Sequence, residues 1–329
     1  MNYKDVIIQF FEDHPELAVA SIEKAAGLSN GRLNRIINQH AAVTPLVIER
    51  LRPVFKRYGV ELERRAKVVS FFNNKNGVGK TTSVLATAIC AASMKKEVLM
   101  IDLDPQSNLT SVCKVGDHLG HVFSGKPNCY RYVHSGQNSR TKIDMISCLY
   151  HEFWDAIDKM EKDVDFYDRL DTVLDKYRDE YDLILIDNMP GRSKVPKMAL
   201  VASDYVAIPT RAEEKSFERL RSMLPEIQEV VNLKNPKLKV VSIFTTMYEA
   251  DNKDHRLLYE ANCIALPSMT NIKIPQALTS IDEELGDHNF LRTGKKNSVV
   301  RAYMELTVEL LNNMGLDVEV PNFINKGKA

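Results

Sequence analysis

The chain has 329 residues, with 44 Lys and Arg against 44 Asp and Glu. That length accommodates about two domains, and the balanced charge excludes a protein that gathers anions by overall basicity. Five scattered cysteines without a C-x-x-C pair argue against a disulfide framework or zinc site and point to a reducing, cytoplasmic compartment.

Charge is unevenly placed. Residues 1–67 carry 11 basic and 8 acidic side chains and the remainder 33 and 36, a hint that the front end faces an anion. The opening stretch MNYKDVIIQFFEDHPEL has acids where a signal peptide has basic residues. No apolar run reaches the ~20 residues of a membrane helix, and the tail GLDVEVPNFINKGKA contains Pro321 and shows no basic and apolar helical stripe, so no membrane association is expected.

In chain order, YKDVIIQFFEDH reads as a helix. VASIEKAAG and GRLNRIINQH read as two short helices about a tight turn at LSN. TPLVIERLRPVFKRYG follows, with Thr44 suited to the N-cap, Pro45 to the first helical position and Pro53 a kink or early turn. VELERRAK lacks Gly, Pro and Ser, which predicts a stiff or helical join. From Lys67 the pattern changes. Apolar runs KVVSFF, EVLMIDL, KIDMIS, YDLILID, DYVAIP and LKVVSIFTTM alternate with helical stretches, among them KTTSVLATAICAAS, SFERLRSMLPEIQEVVNL and NSVVRAYMELTVELLNNMG, the last stopped by Gly315. Such alternation predicts an α/β fold with a mostly parallel sheet flanked by helices. A small all-α domain (1–66) precedes this sheet domain (67–329).

Three segments carry chemistry. In NNKNGVGKTT, Gly79, Lys80 and Thr81 fill the second half of the phosphate-loop pattern G-x-x-x-x-G-K-[ST], but Asn74 stands where its first glycine belongs and Lys75 follows. Backbone N–H groups at a helix start satisfy phosphate charge. Lys80 would reach the β- and γ-phosphates, and Thr81 would hold Mg²⁺. YDLILIDNMPG ends a strand in Asp187, and VLMIDLDPQSNLT ends another in Asp102 and Asp104. Each acid alone could cap a helix or shape a turn; the three segments together are far more specific.

KNGVGKTT, IDLDPQSNLT and YDLILIDNMP resemble the deviant Walker A, switch and Walker B motifs of ParA-type partition ATPases, in the ParA/MinD branch of P-loop proteins. The likeness spans roughly residues 67–315. It implies ATP and ADP binding with Mg²⁺ through Asn76, Gly77, Val78, Gly79, Lys80, Thr81 and Thr82, with Asp187 near the metal through water. Asn76 replaces the first glycine of the family signature K-G-G-V-G-K-T, and Asn tolerates the left-handed backbone that a glycine would supply. By the same resemblance Lys75 reaches the nucleotide of a second subunit in an ATP-sandwich homodimer. Asp104 would position the attacking water, with Asp102 its structural neighbour, and the reaction is a weak ATPase used as a timer. TTMYEA and KIPQALTS match the regions that contact adenine.

SIEKAAGLSNGRLNRII has helix-turn-helix spacing, with Gly27 at the turn and Leu28, Leu33 and Ile36 packing inward. Ser29 or Asn30 would cap the second helix, and Asn30, Arg32, Asn34 and Arg35 would face DNA. Glu23 departs from the small residue common at its position. A helical bundle for dimerisation or partner docking is the plainer alternative. Larger plasmid-type ParA proteins resemble this layout, which implies operator binding and self-repression, nonspecific DNA binding by the ATP dimer, a nucleoid-associated location and a ParB-like partner. Arg292, Lys295, Lys296 and Arg301 are candidates for the nonspecific DNA surface. The competing reading is a nucleotide-controlled repressor without a partition role.

Overall fold

A computed structural model describes residues 3–39, 41, 43–60, 62, 66–114, 122–123, 130–131, 143–148, 150–276 and 297–318. Packing divides the chain into two units, Met1–Arg65 and Ala66–Ala329.

The first unit is helical: α1 (Tyr3–Asp13), α2 (Val19–Ala25), α3 (Arg32–Gln39) and α4 (Pro45–Arg57). Its core takes Ile7 and Phe10 from α1, Ile22 from α2, Leu33 and Ile36 from α3, and Val47, Ile48, Leu51, Val54 and Phe55 from α4. These recur at three- and four-residue steps, the stripe that an amphipathic helix buries. The Phe10 and Phe55 rings stack with centroids 3.8 Å apart. Thr44 occupies the N-cap of α4 without a side-chain capping bond, and α4 runs through Pro53. In the join, Val60, Leu62 and Ala66 are not helical, and Leu62 is buried in the first unit's core. The described residues of the join are therefore not helical; Glu61 and residues 63–65 lie outside the described residues.

The second unit is built on one eight-stranded sheet of order β3-β4-β2-β5-β1-β6-β7-β8. The strands are β1 (Lys67–Phe71), β2 (Val98–Leu103), β3 (Tyr130–Arg131), β4 (Ile143–Ile146), β5 (Leu183–Asn188), β6 (Tyr205–Arg211), β7 (Lys239–Tyr248) and β8 (Met269–Pro275). Among the described residues seven strands run parallel, and β3 is antiparallel to β4. Among the described residues the α-helices are α5 (Lys80–Ser93), α6 (Asn108–Val112), α7 (Tyr150–Met160), α8 (Arg169–Leu174), α9 (Lys194–Val201), α10 (Glu214–Leu233), α11 (Lys253–Ala265) and α12 (Ser298–Asn313). Apolar cores lie on both faces. One joins α5 and α12 to the sheet; others bury α8 and α9, and α10. Burial on both sides explains why β1, β2 and β5 are almost wholly apolar. α5 is so enclosed that Ser83 meets Tyr303 of α12, oxygen to oxygen at 3.1 Å.

Strand order reverses at β1, which has β5 on one side and β6 on the other. Ligands of open α/β sheets bind at such a reversal, outside the carboxyl ends of the strands. Here those ends present residues 73–79 after β1, Asp102–Asp104, Asp187–Asn188, Thr210–Arg211 and Thr245–Met247.

Candidate functional site

The phosphate loop is held from several sides. Asn73 Nδ2 donates to the Pro209 carbonyl at 2.8 Å, and its Oδ1 accepts the Lys75 N–H at 2.8 Å. The Thr246 hydroxyl lies 2.9 Å from the Val78 carbonyl and 3.1 Å from that of Thr210, so β7 underpins the loop. Gly77 and Gly79 adopt left-handed φ of 67° and 82°, which a side chain would strain. Asn76 does not. The left-handed tolerance expected of it is not used; the turn is made at Gly77 and Gly79, and that is why Asn fits position 76 without strain.

Lys80 opens α5 and is 93 % shielded from solvent, with 7 % relative exposure; its Nζ donates to the Lys75 carbonyl at 3.1 Å. Burial lowers its pKa, against the opposing pull of Asp187 and Asp104. Thr81 donates its hydroxyl to Asp187 Oδ2 at 2.7 Å. Thr82 follows in the first turn of α5. Parallel register sets Asp102 of β2 directly against Asp187 of β5, and both are fully buried. Burial and the facing Asp102 raise the Asp187 carboxyl well above its usual range, and burial pushes Asp102 up to about 6. Asp102 is nevertheless well bonded: Oδ1 accepts the Asp104 N–H, and Oδ2 accepts both the N–H and hydroxyl of Thr110. Thr110 in turn accepts the Cys148 N–H at 3.1 Å. Asp104 is buried beside them and accepts the Gln106 N–H.

Among the described residues no donor reaches Asp187 Oδ1, although it is buried. An orphaned carboxylate oxygen beside a threonine hydroxyl and a buried lysine fits a hydrated divalent cation and a phosphate. Mg²⁺ is usually held this way, by one or two protein groups plus phosphate oxygens and water.

Lys75 does not point into free space. Its Nζ meets Glu213 Oε2 at 2.5 Å and Ser216 Oγ at 2.6 Å, at the start of α10. Arg211 pairs with the other Glu213 oxygen at 2.9 Å. These cations hold the Glu213 carboxyl below its usual range, with the Lys75 hydrogen bond the largest cause. Asn74 donates to Glu226 of α10 at 3.1 Å, and Glu226 also pairs with Arg192. Sequence reasoning missed Glu213, Ser216 and Glu226, because nothing local marks a partner some 140 residues away. For adenine, TTMYEA covers the last four residues of β7, which ends at Tyr248, and the first two beyond it, with Met247 at a left-handed φ of 52°; residues 277–280 of KIPQALTS lie outside the described residues. So do Arg292, Lys295 and Lys296, whereas Arg301 stands half-buried on α12.

In the first unit, Asn30, Asn34 and Arg35 are exposed and Arg32 is half-buried. The cap assigned to Ser29 or Asn30 comes instead from Glu23. Its carboxylate accepts the Gly31 N–H at 2.8 Å and the Leu33 N–H at 2.6 Å while itself 2 % exposed. A longer acid on α2 can reach the free donors of the next helix, and its charge suits the positive end of α3. Glu23 thereby accounts for its departure from a small residue. Among the described residues no helix is long and apolar enough to cross a membrane.

Residues 66–240 match a family model described as an AAA domain. The chain is 33% identical over 190 residues to the chromosome-partitioning ATPase Soj of Thermus thermophilus, covering 56% of this chain and 72% of Soj. Among solved structures, pNOB8 ParA bound to nonspecific DNA superposes with a TM-score of 0.57 at 22% identity, over 77% of this chain and 99% of that one. Cobyrinic acid a,c-diamide synthase of Mycobacterium smegmatis, with ADP and magnesium, gives 0.64 at 20% identity, over 78% and 100%. Both structures share the fold.

Proposed function

The chain belongs to the ParA/Soj-type partition ATPases, and we propose that it partitions DNA by an ATP-timed cycle of dimerisation and DNA binding. The observation that carries the nucleotide reading is the meeting of Lys80, Thr81 and the orphaned Asp187 oxygen at the reversal point of the sheet. In this reading Asn76, Gly77, Val78, Gly79, Lys80, Thr81 and Thr82 receive the phosphates, with backbone N–H groups and the α5 dipole supplying positive potential. Thr81, and Asp187 through water, would hold the cation. Bound Mg²⁺ would neutralise charge on the phosphates. Asp104 orients the attacking water, and Asp102 fixes Asp104 through the bond to its N–H.

Lys75 gives the cycle its condition. Within one subunit it is spent on Glu213 and Ser216. To serve a second subunit's nucleotide it must leave them, so dimerisation competes with an intrachain ion pair. A cation supplied in trans stabilises phosphate charge only in the dimer, the logic of an arginine finger. A metabolic enzyme of the same fold would need neither such a lysine nor the front unit, which supports the partition reading. Residues 1–66 would bind an operator and repress the chain's own genes. A ParB-like partner, a nonspecific DNA surface that includes Arg301, and a cytoplasmic, nucleoid-associated location complete the proposal.

The test is binding to random-sequence duplex with ATP, with ADP and without nucleotide, across a salt series. Binding that requires ATP and falls steeply with salt is expected, since phosphate contacts release counterions. Tight ATP binding without any random-sequence binding would replace partition by a nucleotide-controlled repressor.

A further inference from the structure

The outer face of α3 carries an unusual set of side chains. Asn34 and Asn38 are exposed and four residues apart, and Asn30 is exposed in the turn just before the helix. The opposite face is closed, with Leu33 and Ile36 at 0 % exposure. No described residue engages any of the three amides. α3 carries no acid, and Arg35 stands beside Asn34 with its Nε 3.3 Å from the Gly31 carbonyl.

We infer that Asn30, Asn34 and Asn38 form an amide ladder that reads adenines in the major groove of a double-stranded operator. The inference rests on the reading of residues 1–66 as a DNA-binding unit, and it names what that unit recognises. A side-chain amide has one donor and one acceptor side by side, which matches the N6 donor and N7 acceptor of adenine. Guanine offers two acceptors to the same amide and leaves its carbonyl unmatched. Four helical residues advance about 6 Å, close to two base-pair steps of about 3.4 Å. Asn34 and Asn38 therefore address adenines about two base pairs apart. Uncharged amides add nothing to the charge-driven, salt-dependent attraction of phosphates, so in the groove their contribution is selectivity.

A protein partner fits this face poorly. Interface cores draw on aromatic and other large apolar groups. Among the described residues of this unit, the exposed large hydrophobics are Leu46 and Tyr58, both outside α3. The rigid seating that base reading needs is present: Glu23 pins the start of α3 from inside the fold, leaving the outer face unobstructed.

The experiment selects duplexes from a random pool with the full, nucleotide-free chain and repeats the selection with Asn34→Ala and Asn38→Ala. Both substitutions are at exposed helical sites where Ala is the better helix former. A consensus containing A·T pairs about two steps apart is expected. Each variant should lose preference at one of those pairs, by roughly 5- to 150-fold against G·C, while the rest of the consensus stands. A consensus that both variants reproduce unchanged would overturn the ladder and leave the DNA-binding unit in place. Absence of any consensus, with nucleotide binding intact, would overturn the DNA-binding reading and the ladder with it.

Discussion

Replacing Glu23 by Ala tests how the front unit is held. The wild-type carboxylate is 2 % exposed and accepts two backbone donors of the α3 start, Gly31 and Leu33. Loss of an N-terminal cap costs about 0.5–2 kcal/mol, and a buried donor left without a partner about 1–3 kcal/mol. Gly31 is half-buried and can recruit water, whereas Leu33 is at 0 % exposure. The expected total is about 3 kcal/mol, roughly a hundredfold in the local opening equilibrium. Hydrogen exchange of the full chain reads this directly: amides of residues 31–37 should exchange about a hundredfold faster, with peptides of β1, β2 and β5 unchanged. Glu23→Gln keeps an acceptor but not the charge and should fall between. Unaltered protection of 31–37 in Glu23→Ala would refute the capping argument and return Ser29 or Asn30 to that role.

The remaining predictions concern the second unit. Lys80→Ala should abolish binding of a fluorescent ATP analogue; wild-type affinity would remove the phosphate-loop assignment. Lys75→Ala should lose ATP-dependent dimers on a sizing column, whereas Glu213→Gln, which weakens the intrachain hold, should dimerise at lower protein concentration. Equal dimerisation in Lys75→Ala and wild type would end the in-trans role. Asp104→Ala should retain ATP while turning it over about a hundredfold or more slowly. Asp102 titrates near 3.8 when unfolded and is raised to about 6 when folded. The folded state thus keeps this proton longer, and the associated stability is present below about pH 4 and lost as pH rises through about 6. Asp102→Asn cannot lose it, so without nucleotide the variant's melting temperature should gain on wild type between pH 4 and 7. A constant difference would contradict the raised carboxyl.

Six of the strands and the main helices were legible because burial on both faces leaves a continuous apolar signature. β8 was not, since Met269–Pro275 is an edge strand in which Asn271 is exposed and only Thr270 and Ile274 are buried. The tiny β3 has too few residues to show any period. Lys80, Thr81, Asp102, Asp104 and Asp187 were each visible as motif residues. That Asp102 faces Asp187 was not, because strand register is a tertiary fact. Glu23 and Lys75 show the same limit in another form: the residue stands out in sequence, but its partner is chosen by folding. Asn76 shows the reverse case, a sequence anomaly that the backbone absorbs without using a left-handed angle.

The phosphate loop also has a consequence for the order in which the chain is made. The loop follows the first strand to leave the ribosome, yet its fastenings come much later. Thr81 meets Asp187 after 106 residues, Asn73 meets Pro209 after 136, and Val78 meets Thr246 after 168. A growing chain that ends before β7 has the sequence of a nucleotide site but lacks its floor. Nucleotide therefore has nothing to favour in a half-made protein and everything to favour in a finished one, so ligand binding pulls only completed molecules toward the native state.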